Sequence, residues 1–396
     1  MTQRIYYTDP YAIDFEADVI SVEPAPEAHA GKSGVVLDKT AFYPTSGGQP
    51  FDVGRLGDAP VVDVIDRDDG TILHVVEGSL PAGPVRGRID WARRFDHMQQ
   101  HTGQHVLSAA FDRALQVRTV SFHLGSVTST IDLHREVTTA EIARTETDAN
   151  QVVWEDRPVT IRFANADEAA RLPLRKESVR EGTLRIIDIA DFDVSACGGT
   201  HVSRTGAIGI IAVTGTERFR GGTRIEFVCG GRALASLRTL RDTMASATRL
   251  LSVVPADLSP AIERLQAESK DARRQIKDMQ SRLAEFEAAS LADHAEPVGS
   301  VRAVITSLEG LDASGLKTIA ASITSRPGHV AVLISSPFAV VARATDVKID
   351  SAAILKQLIA AFGGKGGGRP EMAQGGGLQG SAAEILAAAR GAISGA

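Results

Sequence analysis

Cysteine is nearly absent: Cys197 and Cys229 are the only two in 396 residues. No disulfide framework can hold such a chain together, so its stability must come from a buried core. One Cys197–Cys229 bridge is possible, but without an export signal reduced thiols are expected. MTQRIYYTDPYAIDFEADVI, at the N-terminus, lacks the basic start and apolar run of a signal peptide. No apolar run approaches the length of a membrane span, and the expected location is cytoplasmic. Net positive charge is also missing. At −6 the molecule is not a generally basic nucleic-acid binder, so any RNA contact must use local basic patches.

What is present is the composition of a soluble globular chain, 43% hydrophobic and 23% charged, long enough for two or three domains. Residues 1–88 read as β. Short Val- and Ile-rich runs at Ile20–Val22, Gly34–Leu37, Val61–Ile65 and Ile72–Val76 are punctuated by Gly, Pro and Asp, which predicts a small barrel or sandwich. Residues 89–240 read as α/β, with helices after Trp91 and over Thr139–Val153. Basic residues Arg175, Lys176, Arg180 and Arg185 follow a short helix at Asp167–Arg171, and Leu184–Ile189 reads as a strand. A basic glycine loop, Glu217–Arg224, separates strands at Gly209–Thr214 and Arg224–Cys229 and is either a solvated turn or a phosphate contact.

Residues 241–296 are helical. Ile262, Leu265, Ala272, Ile276, Met279, Leu283 and Phe286 follow three- and four-residue steps, an a/d seam predicting a coiled-coil dimer or an antiparallel pair within one chain. Residues 297–396 return to α/β and carry GGKGGGRPEMAQGGG from Gly363. The Walker pattern fails there, because Ile359 stands at its first glycine and Gly366 follows the lysine. The stretch is either a flexible linker or, with Lys365 and Arg369 among exposed amides, a polyanion surface.

Two motifs carry chemistry. In HMQQHTGQH, His101 and His105 lie at i and i+4, and helical spacing of Val106, Leu107, Ala109, Ala110 and Phe111 predicts that both project from one helix face. In CGGTH, Cys197 and His201 are separated by a stretch whose two glycines permit a tight turn. Each alone has an ordinary explanation, a structural His pair or a turn with a buried cysteine. Together they form a zinc-type donor set. His97, one turn earlier, is second to the ligands or substrate-facing. A metalloprotease would need Glu where Thr102 stands, and a nucleobase deaminase would need His-x-Glu with paired cysteines. A Cys197 nucleophile is disfavoured because a metal-bound thiolate is occupied. The remaining chemistry is zinc-assisted hydrolysis of an ester-like bond.

The ordered set of TAFYPTSGGQ from Thr40, HMQQHTGQH, SACGGTHVSRTGAIG and GGKGGGRPEMAQGGG resembles the editing half of alanyl-tRNA synthetase. The chain starts at the β region with no preceding aminoacylation module, so it resembles a free-standing trans-editing protein of the long AlaX type. The resemblance implies an α+β multidomain fold: an N-terminal small β-barrel, an α/β zinc-containing editing domain, a coiled-coil-like helical linker and a C-terminal α/β DHH-associated domain. It implies zinc on His101, His105, Cys197 and His201, acyl recognition by Thr40 and Gln49, and deacylation of mischarged tRNA(Ala), chiefly seryl and also glycyl. Phosphate contacts are expected from Arg93, Arg94, Arg218, Arg220, Arg224, Lys365 and Arg369, and a homodimer through the helical segment and C-terminal domain. The rival expectations are an aminoacyl-tRNA-dependent transferase and a non-catalytic tRNA-binding protein. Gly103, where many relatives are expected to carry Ala, should cost helix propensity by about 1 kcal/mol and leave the ligands in place.

Overall fold

Alternation starts the fold. In the computed structural model, which describes residues 1–175 and 182–395, Phe15, Ala17 and Val19 point inward from one strand while their neighbours face out. Lys176 and Arg180 lie outside the described residues. The chain divides into two compact units, Met1–Ser246 and Ala247–Ala396.

In the first unit, β1 (Gln3–Arg4) is followed by β2 (Asp14–Pro24) and β3 (Ser33–Leu37). The short β4 (Lys39–Thr40) pairs in parallel with β1. Then come β5 (Gly54–Leu56), β6 (Ala59–Asp66), β7 (Ile72–Val76) and β8 (Gly83–Ile89). A closed barrel runs in the order β2-β3-β7-β6-β5-β8, which leaves no free edge. Its interior is filled by Phe15, Val35, Leu37, Phe42, Leu56 and Ile72, among others, each contributing ~1.5–3 kcal/mol by burial. The sequence reading missed β8 because Gly83-Pro84 opens it and reads as a turn.

Helix α1 (Trp91–Leu115) leaves the barrel. Asp90 caps its start by accepting the Arg93 N–H, and Gln116 ends it in the left-handed region at φ 56°. From His97 to Phe111 every residue is buried, so the helix is enclosed on all sides rather than amphipathic. Its polar residues must therefore find partners inside. Around it pack β9 (Thr119–Leu124) and β10 (Ser129–Leu133), an antiparallel pair, and α2 (Thr139–Trp154). Thr138 and Glu141 close a capping box on α2. Next come β11 (Val159–Ala164), the single turn α3 (Ala166–Ala169), β12 (Leu184–Ile189) and β13 (Asp193–Ala196), with β11, β12 and β13 forming an antiparallel sheet.

β14 (Ile211–Phe219) and β15 (Gly222–Cys229) extend the β9–β10 pair. The expected basic loop is in fact a two-residue hairpin turn. Arg220 and Gly221 both take positive φ, 49° and 82°, as a turn matched to strand twist requires. Helix α4 (Gly230–Leu251) follows.

In the second unit, α5 (Leu258–Asp293) is one 36-residue helix. β16 (Glu296–Val298), β17 (Val301–Ser307), α6 (Ala313–Thr324), β18 (His329–Ser335), β19 (Phe338–Arg343) and α7 (Ser351–Phe362) come next. The glycine tail is not a flexible linker: it forms β20 (Lys365–Gly368) and β21 (Met372–Gly376), before α8 (Ala382–Ser394). These complete a six-stranded mixed sheet, β16-β17-β18-β19-β21-β20. Of α5, Ala284, Ala288 and Ala292 pack into a cluster with Leu316, Ile319 and Ala320 of α6. The predicted seam residues Ile262, Leu265, Ala272, Ile276, Met279, Leu283 and Phe286 are exposed instead, so among the described residues no helix pairs along that seam. Among the described residues no helix is long and apolar enough to cross a membrane.

Candidate metal centre

Helix α1 and the turn after β13 converge. One ligand atom from each of His101, His105, Cys197 and His201 lies within 4.8 Å of the others. The Cys197 Sγ is 3.4 Å from His101 Nε2 and 3.4 Å from His201 Nε2. Two vertices of a tetrahedron around an ion with zinc-type bonds stand about 3.5 Å apart. The three histidines are buried and Cys197 is partly exposed.

The far nitrogen of each imidazole is held. His101 Nδ1 is 2.8 Å from Gln49 Oε1. That amide is oriented by Thr200, whose N–H donates to Gln49 Oε1 and whose hydroxyl accepts from Gln49 Nε2. His105 Nδ1 is 3.1 Å from Asp193 Oδ2, and Asp193 is fixed in turn by Arg175 and Ser195. His201 Nδ1 is 3.2 Å from Thr102 Oγ1, which also accepts the Val202 N–H. With each Nδ1 engaged, each Nε2 faces the centre, the outer-sphere arrangement that orients metal-bound histidines. Gly199 makes the convergence possible, since a Cβ there would lie 2.2 Å from His101 Cε1.

The four groups shift one another's titration. Burial alone would push the Cys197 thiol up, but the His101 and His201 imidazoles bring it well below its usual range. Burial lowers His105, yet Asp193 and Cys197 outweigh that and raise it to about 9. Burial, aided by His101, pushes His201 down to about 3. Three imidazoles and a thiolate, buried and without a ligating carboxylate, fit zinc better than magnesium or calcium.

The other expected site residues are spread more widely. Gln49 touches the centre through His101. Thr40 is buried against the barrel interior, where its hydroxyl pairs with His74 at 2.8 Å and accepts the Phe42 N–H. His74 Nδ1 lies 3.1 Å from the Val35 carbonyl, so Nδ1 carries the proton and Thr40 donates to Nε2. His97 is buried and kept neutral, pushed down to about 4 by burial and then by Arg93, and its Nδ1 has no partner.

Arg94 is a correction. Expected on an RNA phosphate, it is fully buried, paired with Asp52 and donating to the carbonyls of Pro10 and Ala41. It fastens α1 to the barrel and cannot reach solvent. Arg93 is half-buried and donates to the Phe51 carbonyl. Arg218 and Arg220 are exposed, whereas Arg224 is half-buried against Asp132 and Phe219. Lys365 and Arg369 are exposed. Asp193 and Thr102, the buried partners of His105 and His201, were not identified as site residues from sequence. Gly103 has a reason of its own: a Cβ there would stand 2.3 Å from Cys229 Sγ.

Comparison with known proteins extends this picture. The family model described as "Threonyl and Alanyl tRNA synthetase second additional domain" matches residues 184–226, and a DHHA1 domain model matches residues 300–395. The chain is 31% identical over 391 residues to the alanyl-tRNA editing protein AlaX-L of Pyrococcus horikoshii, covering 95% of this chain and 94% of that protein. It is 34% identical over 390 residues to the alanine–tRNA ligase of Pyrococcus abyssi, but spans only 42% of that enzyme's length. The C-Ala domain from Aquifex aeolicus alanyl-tRNA synthetase aligns at 21% identity and a TM-score of 0.24, over 25% of this chain and 97% of that domain.

Proposed function

Given that the chain belongs to the family of the alanyl-tRNA editing protein AlaX-L, we propose that it hydrolyses the ester of mischarged tRNA(Ala), chiefly the seryl and also the glycyl form, with zinc as its metal. The observation that carries this reading is the His101–His105–Cys197–His201 cluster with every Nδ1 held from behind.

When bound, zinc supplies a positive charge for the aminoacyl end and polarises what lies against it. The chain's own residues do the rest. Gln49, Asp193 and Thr102 fix the imidazoles, so the centre does not reorganise during the reaction. Thr40 and Gln49 are the acyl-recognition candidates. Gln49 retains one amide N–H. Thr40, its proton committed to His74, keeps a lone pair that accepts from a serine hydroxyl. A site built to bond a hydroxyl rejects an analogue lacking it more strongly than an apolar pocket could. Arg93, Arg218 and Arg220, with Lys365 and Arg369, are the candidate phosphate contacts.

The test is Cys197→Ala. The variant is expected to lose bound metal and to stop releasing free serine from Ser-tRNA(Ala). Full deacylation by the metal-free variant overturns the reading. Recovery of serine attached to another molecule, rather than free serine, points to a transferase.

A further inference from the structure

Behind the Cys197 turn stands a cation that is not a ligand. Strands β12 and β13 pair with Ile186 opposite Ala196, which brings Arg185 across from Cys197. The Cys197 N–H donates to the Arg185 carbonyl at 3.0 Å. The Arg185 side chain then bends under the turn. Its Nη1 donates to two carbonyls at once, that of Cys197 at 2.7 Å and that of Gly199 at 2.9 Å. Its Nε donates to the Tyr7 carbonyl at 2.9 Å, and its guanidinium lies over the Tyr7 ring, 5.5 Å from the centroid.

The side chain is buried, and Nη2 has no partner. None of the salt bridges among the described residues includes Arg185. A buried guanidinium without a carboxylate costs several kcal/mol, and an apolar residue of similar volume is often the more stable choice. Stability alone therefore does not account for it. What it does locally is specific: carbonyls two residues apart converge on one nitrogen only if the chain between them is tightly curved. That curvature turns Cys197 Sγ toward the imidazoles and presses Gly199 against His101, where no Cβ fits.

We propose that Arg185 is a positioning residue of the metal centre: it gathers the Cys197 and Gly199 carbonyls, sets the turn that presents the thiolate, and ties that turn to the N-terminal segment through Tyr7. The inference rests on the cluster binding a metal and is independent of which RNA is the substrate.

The test uses the full-length chain stripped of metal and titrated with Co2+, whose thiolate charge-transfer absorption reports the Cys197 bond. Arg185→Gln is expected to bind Co2+ at least tenfold more weakly, with a diminished thiolate band. Arg185→Lys keeps the charge but presents a single nitrogen, and is expected to fall between Arg185→Gln and the parent. Arg144→Gln, on the exposed face of α2, controls for loss of an arginine. Parental affinity and an unaltered band in Arg185→Gln overturn the proposal. Should that variant fail to fold by circular dichroism, parental values in Arg185→Lys overturn it equally. Failure of the parent to deacylate Ser-tRNA(Ala) would remove the proposed function and leave this result untouched.

Discussion

Gln49 Oε1 stands 2.8 Å from His101 Nδ1, although the two residues are 52 positions apart and come from a barrel loop and a helix. The barrel thus reaches the metal centre through one amide. Gln49→Leu removes that acceptor and leaves the ligands unchanged. Metal affinity, measured by chelator competition, is expected to fall about 10–100-fold, the usual effect of losing an outer-sphere partner. Unchanged affinity would mean that packing alone orients His101.

Gly103 and Cys229 form a second coupled pair. Ala at 103 gains ~1 kcal/mol of helix propensity, but its Cβ would sit 2.3 Å from Cys229 Sγ, and overpacking costs about 1–3 kcal/mol. Gly103→Ala is therefore expected to lower unfolding stability by about 0–2 kcal/mol. Adding Cys229→Ala should restore most of the loss, a non-additivity that a double-mutant cycle in urea measures directly.

His74 makes the barrel acid-sensitive. Burial pushes it from 6.5 down to about 4, so between those values the unfolded chain takes up a proton that the folded chain refuses. Its stabilising contribution is complete above about pH 6.5 and is lost as pH falls through about 4, roughly 3 kcal/mol in all. Chemical denaturation across that range should show His74→Asn with a shallower acid slope than the parent. Equal slopes would place the acid sensitivity elsewhere.

Lys365 and Arg369 are exposed in and beside the glycine strand β20. If they contact phosphates, the double variant Lys365→Ala, Arg369→Ala binds tRNA(Ala) more weakly and with a salt slope smaller by about one to two. Turnover at saturating substrate is expected to stay the same. An unchanged salt slope would count against this surface.

The cluster of His101, His105, Cys197 and His201 was legible because its chemistry is local: two imidazoles at helical spacing and a thiol beside a glycine turn. The strands with apolar runs, such as Ser33–Leu37 and Ile72–Val76, were legible for a similar reason. What was not legible depends on partners distant in sequence. Arg94 reads as a surface cation until Asp52, 42 residues earlier, is seen beside it. Asp193 is one acidic residue among many until the fold sets it behind His105. The β20 strand is three glycines after a lysine, with no side-chain pattern to announce it. On α5 the eye follows the larger side chains of the seam, whereas the helix packs on α6 through its alanines.

The ligand order along the chain has a consequence for synthesis. His101 and His105 leave the ribosome some ninety residues before Cys197 and His201. A nascent chain arrested between the two pairs has only two imidazoles to offer an ion, too few to hold it tightly. Translation past His201 is the earliest point at which the four groups can meet, while β14, β15 and the rest of the first unit, through Ser246, are still to be made.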